Sequence, residues 1–145
     1  MPLTAIAYVS SALRELSDPE LEALLAKARA RNQQHEVTGA LLYHDGSFLQ
    51  YIEGPEEGLD VIYRHIMRAP EHYDIVELMR SPVAQRSFSD WEMGFTRAPE
   101  STMLQLANVS WRRQVQSAAP NSSIGLTLLM QFWRSNGGTM TPPGS

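Results

Sequence analysis

The sequence predicts an α+β fold: a mixed sheet in the order βαββαββ, with two helices on one face and C-terminal helices on the other. Residues 3–10, LTAIAYVS, are apolar on both alternating faces and read as a strand covered on both sides. Asp45-Gly46 lies between two strand-forming runs and is the best hairpin signal in the chain, because glycine readily supplies the positive φ of a primed turn. Two stretches with apolar residues at helical spacing, each opened by proline and acidic residues, separate the strands.

In the first strand Tyr8 shares a face with Thr4 and Ile6, while Leu3, Ala5, Ala7 and Val9 line the other. Ser17-Asp18-Pro19-Glu20 then starts a helix over about 19–33, since Ser17 or Asp18 can cap it and Glu20 suits the positive end of the dipole. Its stripe runs Leu21, Leu24, Leu25, Ala28, and the next position is Asn32, so an amide ends a buried row. Residues 37–43 and 47–53 form the hairpin, with Phe48, Gln50 and Ile52 on one face of its second strand. Gly54-Pro55-Glu56-Glu57 opens a helix to about residue 68, with Leu59, Ile62 and Ile66 inward. Strands at 73–83 and 92–96 follow, and Trp91, Met93 and Phe95 alternate onto one face. Taken together the elements give the ferredoxin-like arrangement.

Beyond residue 100 the pattern changes to a helix at 101–109, a loose stretch at 117–123 and an apolar helix at 124–135. Ile124, Leu126, Leu128, Leu129, Phe132 and Trp133 make that last helix either a lid over the second apolar face of the sheet or a subunit or partner surface. The closing GGTMTPPGS reads as a disordered tail.

Bulk composition narrows the function. A chain of 145 residues, 43% hydrophobic, suits one core. The net charge of −4 supplies no basic field, which argues against direct nucleic-acid binding and against anionic membranes. Without cysteine there is no disulfide, thiolate metal site or thiol photochemistry. The start of the chain lacks a leader pattern, and no apolar run approaches the ~18 residues of a spanning helix, so a cytoplasmic location is expected. His35, His44, His65 and His72 have no convergent spacing for a metal. Neither a nucleophile–base pair nor a glycine-rich phosphate loop is recognisable, so an enzyme is not expected.

Three polar side chains, Tyr8, Asn32 and Gln50, fall on buried faces of different elements. Alone, Tyr8 and Gln50 read as satisfied core groups and Asn32 as a helix C-terminal residue with local bonds. Together they either bond one another or share a polar ligand, because an unpartnered buried polar group costs about 1–3 kcal/mol. A planar heteroaromatic between the two helices suits them, its faces covered by Leu24, Leu25 and Ile66. Tyrosine is a hydrogen-bonding group and an oxidisable phenol, and half a turn of the Gln50 amide exchanges donor and acceptor, giving two bonded states without covalent change.

The stretches AYVSSA around Tyr8, ARNQQHEVTGALLYHDGSFLQYIEGP around Asn32 and Gln50, and FSDWEMGF around Trp91 and Met93 resemble the BLUF family, sensors of blue light using FAD. The likeness covers about residues 3–97 in consistent order. It implies a flavin-binding photosensor domain at 1–97, a helical cap or output segment at 98–136 and a tail at 137–145. It further implies that Tyr8 gives an electron and then a proton to excited FAD, that Gln50 rearranges its hydrogen bonds, and that Asn32 bonds the pyrimidine edge of the ring. Leu24, Leu25, Ala28 and Ile66 would line the slot. Position 28 is Ala where several relatives have Ser. Arg31 and His72, with Lys27 and Arg68, could meet the phosphates or sugar, or be ordinary surface charge. Trp91 and Met93 match the pair expected to relay the change, and core packing would explain them equally. The expected partners are FAD, a second copy of the chain in a homo-oligomer and an unidentified downstream protein. A light-independent assembly scaffold and a ferredoxin-fold enzyme are the competing readings.

Overall fold

The computed structural model describes residues 2–12, 16–69, 72–88, 94–111 and 123–135. Strand β1 (Leu3–Ala12) is apolar on both sides and takes a central place, pairing antiparallel with β3 (Ser47–Pro55) on one edge and with β4 (His72–Val83) on the other. Helix α1 (Asp18–Gln34) starts in a capping box: the Ser17 hydroxyl accepts from the Glu20 N–H, and the Glu20 carboxylate accepts from the Ser17 N–H. It leads to β2 (Thr38–His44), which turns into β3 through Asp45 and Gly46, both at positive φ (41° and 81°), the geometry of a primed hairpin turn.

Helix α2 (Glu56–Arg68) connects β3 to β4, and β5 (Gly94–Arg97) lies parallel to β2 at the far edge. The strand order β4-β1-β3-β2-β5 is the ferredoxin-like sheet extended by one strand. Helices α3 (Glu100–Asn108) and α4 (Ile124–Ser135) complete the described chain. The elements follow the sequence reading with small extensions. β1 runs on to Ala12, whose N–H donates to the Gly46 carbonyl at 2.6 Å, and β3 runs on to Pro55, opposite Leu3.

Alternation of side chains splits the interior into two cores. Ile6, Tyr8, Phe48, Ile52 and Phe95 face α1 and α2, meeting Leu21, Leu25, Leu59, Ile62 and Ile66. Ala5, Ala7, Leu49 and Tyr51 face the other way, against Met103 and Leu106 of α3 and Leu126, Leu129 and Trp133 of α4. The last two helices therefore cover the second apolar face. They are joined by short bonds: the Trp111 indole N–H donates to Leu106 O at 2.8 Å, and the Gly125 N–H to Ser110 O at 2.9 Å. Among the described residues no helix is long and apolar enough to cross a membrane.

Candidate functional site

Between α1 and α2, over the sheet, lies a cavity of about 500 Å³. Leu41, Phe48 and Gln50 of β2 and β3 line it from the sheet; Leu24, Lys27, Ala28 and Arg31 line it from α1; Val61, Arg64, His65, Ile66 and Arg68 line it from α2. The volume is in the range of small-molecule pockets, roughly 300–1,000 Å³. Its chemistry is divided. Leucine, isoleucine, phenylalanine and alanine supply apolar surface, the Gln50 amide is a buried polar group, and four cations contribute without an opposing acidic residue among the lining residues. In a chain of net charge −4 that concentration of positive side chains favours an anionic ligand. The arrangement fits a planar heteroaromatic carrying a phosphate tail.

Gln50 and Tyr8 are direct cross-strand partners in the β1–β3 register, so their side chains leave the same face of the sheet next to one another. Tyr8 has no solvent exposure, and its phenol is held well above the ordinary tyrosine value by burial, with the neighbouring Tyr63 phenol adding to the effect. It is thus a protonated phenol throughout the physiological range. On its other side Tyr8 pairs with Glu77 of β4. Tyr63, from the inner face of α2, packs against it with ring centroids 5.7 Å apart and planes inclined at 55°.

Of the residues expected at the site, Leu24, Ala28, Arg31, Gln50 and Ile66 line the cavity. Leu25 does not. It is fully buried in the core with Ile6 and Tyr8, because consecutive helical residues diverge by about 100° and the Leu24 direction already faces the cavity. Asn32 is buried, 2% exposed, near the end of α1, and its carbonyl accepts from the N–H groups of His35 and Val37, tying the helix end to the start of β2. His72 opens β4 opposite Ala12, while Trp91 and Met93 lie outside the described residues. Arg64, His65 and Val61 were not expected; they share with Arg68 the spacing of one helical stripe, which read as a solvated face.

Behind the sheet lies a buried carboxylate that the residue pattern does not announce. Glu53, three residues beyond Gln50, has no exposure and accepts from the N–H groups of Ser87 and Phe88, each at 2.7 Å to Oε2. Arg86 secures the same segment, donating to Thr38 Oγ1 at 2.9 Å and to the carbonyls of Glu36 and Glu53 at 2.7 and 3.2 Å. Phe88 then packs between Tyr51 of β3 and Trp133 of α4, both at 5.6 Å between ring centroids. Among the described residues no cluster of histidine and acidic side chains could hold a metal ion.

The chain is similar to proteins of one known family. The family described as "Sensors of blue-light using FAD" matches residues 3–94. The blue light- and temperature-regulated antirepressor of Escherichia coli (strain K12) is 40% identical over 86 residues, 59% of this chain and 21% of that protein. The photoactivated adenylate cyclase subunit beta of Euglena longa is 36% identical over 92 residues, 63% of this chain and 11% of that protein. The chain thus spans only a small part of the length of these relatives. Among solved structures, the dark state of BlrB, a BLUF protein, superposes with a TM-score of 0.63 at 31% identity, covering 73% of this chain and 82% of that one.

Proposed function

The chain belongs to the BLUF family, the sensors of blue light using FAD, and on that premise we propose that it is a blue-light photoreceptor holding FAD non-covalently between α1 and α2. The observation that carries this reading is the register that sets Tyr8 beside Gln50, with Gln50 on the cavity. When bound, the flavin supplies absorption of blue light and an excited state that accepts an electron. Leu24, Ala28 and Ile66 would cover the ring, Gln50 and Asn32 would address its polar edge, and Lys27, Arg31, Arg64 and Arg68 would meet the diphosphate.

Tyr8 loses an electron on illumination and then its phenolic proton. Its burial makes the intermediate charge short-lived, since a charged form in a low-dielectric interior is strongly disfavoured. Gln50 takes up a second hydrogen-bonded arrangement by exchanging the donor and acceptor ends of its amide. Return of the electron and proton leaves Tyr8 neutral and Gln50 rearranged, the signalling state. One or two changed hydrogen bonds are worth about 1–3 kcal/mol, enough for a roughly 5–150-fold shift in a coupled equilibrium. Signal leaves through the C-terminal segment, to which the Tyr51–Phe88–Trp133 contacts give a connection, towards a protein partner or a second copy of the chain.

A visible spectrum before and after blue light tests the proposal. The purified protein is expected to be yellow, with a flavin band that shifts to the red on illumination and returns in the dark. A protein that ignores added FAD, or whose bound flavin spectrum is unchanged by light, would refute it.

A further inference from the structure

We propose that Tyr63 is a second redox-active tyrosine: it re-reduces oxidised Tyr8 and passes its own proton to Glu77. The inference rests on the photochemical role given to Tyr8 above and extends it. The Tyr63 ring is in contact with the Tyr8 ring, at 5.7 Å between centroids, so no other group need lie between donor and acceptor. The far side of Tyr63 meets charge. Burial, and after it the charge of Glu77, raise the Tyr63 phenol above its ordinary value; Glu77 is the β4 partner of Tyr8, and the Arg80 guanidinium that binds it stands 5.3 Å from the centroid of the Tyr63 ring. Arg80 in turn holds Glu77 at 3.3 Å and Asp60 of α2 at 3.4 Å. A continuous path therefore leads from Tyr8, with no exposure, through Tyr63, 8% exposed, to an ion-pair group whose side chains are 40% or more exposed.

The electrostatics give the path a direction. A tyrosine that has lost an electron in a fully buried site carries a positive charge where solvation is poorest. Tyr63 can remove that charge because a base, Glu77, is held next to its ring by Arg80. In the balanced step, one electron moves from Tyr63 to the cation radical of Tyr8. The Tyr63 O–H bond breaks as an O–H bond forms on Glu77. The products are a neutral Tyr8 phenol, a neutral Tyr63 phenoxyl radical and a Glu77 carboxylic acid. Positive charge has then moved outward to Arg80 and its remaining partner Asp60, where water reaches it. Arg80 above the ring opposes a cation on Tyr63, so electron and proton leave that residue together. Because oxidised Tyr8 must otherwise release its own proton to drive the Gln50 rearrangement, Tyr63 acts as a drain that competes with switching. A Tyr63 that merely fills the core would have no such effect.

The test uses the full chain loaded with FAD and two conservative variants. Tyr63→Phe keeps the ring packing, and Glu77→Gln keeps a hydrogen-bond acceptor that is not a base. Flash illumination followed by electron paramagnetic resonance, with ring-deuterated tyrosine to identify the signal, should show a neutral tyrosyl radical in the parent protein. In both variants the Tyr63 component of that signal should be lost, leaving only the transient signal of Tyr8, while the red-shifted state still forms, and forms in higher yield per absorbed photon. A radical signal and yield unchanged by Tyr63→Phe would overturn the inference, as would the absence of any radical in the parent. Tyr8→Phe separates the two levels: if it abolishes the red shift while Tyr63→Phe changes nothing, only the drain is refuted. If Tyr8→Phe leaves the red shift intact, the photochemical reading falls and the drain with it.

Discussion

Gly125 lies flat against the indole of Trp111: a β-carbon at position 125 would stand 2.3 Å from Trp111 Cδ2 and 2.4 Å from Cε2. The first turn of α4 is fitted to that ring, which is itself anchored to Leu106 of α3. Gly125→Ala should therefore destabilise the protein although alanine is the better helix former by roughly 1 kcal/mol. The overpacking costs about 1–3 kcal/mol, and the loss should appear in urea denaturation followed by tryptophan fluorescence. Flavin affinity should be nearly unchanged, since the substitution is on the opposite face of the sheet from the cavity. A variant as stable as the parent would show that α4 is not held at this point.

Tyr8→Phe should retain flavin and the fold yet lose the reversible red shift, because the phenol that the proposed mechanism makes the source of electron and proton is gone while its packing stays. Burial holds the Tyr8 phenol above its ordinary value, so alkaline conditions act on the unfolded chain first. Stability is present below the unfolded tyrosine value of about 10 and falls as pH rises beyond it. The light response of folded protein should accordingly persist through mildly alkaline pH and end with unfolding, measured by circular dichroism and the flavin band in parallel. A light response that titrates away while the fold is intact would contradict a protonated, deeply buried Tyr8.

The cations around the cavity allow a test of ligand class. Reversing Arg64 and Arg68 to Glu should weaken FAD binding by about 1–2 kcal/mol, as exposed ion pairs are worth at most about 1 kcal/mol each. Riboflavin, which has no phosphate, should bind both forms alike, and added salt should narrow the difference for FAD. Titration by flavin fluorescence measures each affinity. An equal loss for the two ligands would mean that these arginines shape the cavity rather than meet a phosphate.

Glu53 gives a pH dependence of definite sign. Burial raises its carboxyl above 4.5, and the N–H groups of Ser87 and Phe88, with Arg86 nearby, draw it only part of the way back. Between the unfolded value and the raised one, the native protein keeps a proton that the unfolded chain has released. Stability therefore falls as pH rises through that window. Glu53→Gln cannot titrate, so the stability of the parent relative to this variant should decline as pH is raised from 4.5 through that window in urea titrations. A relative stability that grows with pH would place the carboxyl below its ordinary value and make the N–H bonds dominant.

Much of the fold was legible because its signals are local. Ser17 and Glu20 announce the start of α1 within four residues, and Asp45-Gly46 fixes the hairpin that brings Gln50 into register. Alternation along β1 and β3 puts Tyr8 and Gln50 on inward faces from the residue pattern alone. What escaped depends on distant contacts. Glu53 next to Gly54-Pro55 looks like a charged strand end; its burial is decided by Ser87 and Phe88, 34 and 35 positions away. Leu24 and Leu25 look equivalent on the sequence, and only the packing of α1 against the sheet assigns one to the cavity and the other to the core. Arg64 and His65 carry the composition of a wet surface and become cavity residues because α1 stands opposite.

Gln50 and Tyr51 are neighbours in β3 that look to opposite sides of one sheet, the first to the cavity and the second to Phe88 beneath α4. The residues that line the cavity and those that hold the last helices are thus interleaved along a strand without sharing a side chain. Evolution, or a protein engineer, can exchange what is docked on the rear surface by rewriting odd positions and leave the even ones untouched. A single photosensory layout can in this way be recombined with many different outputs, with no redesign of its colour chemistry.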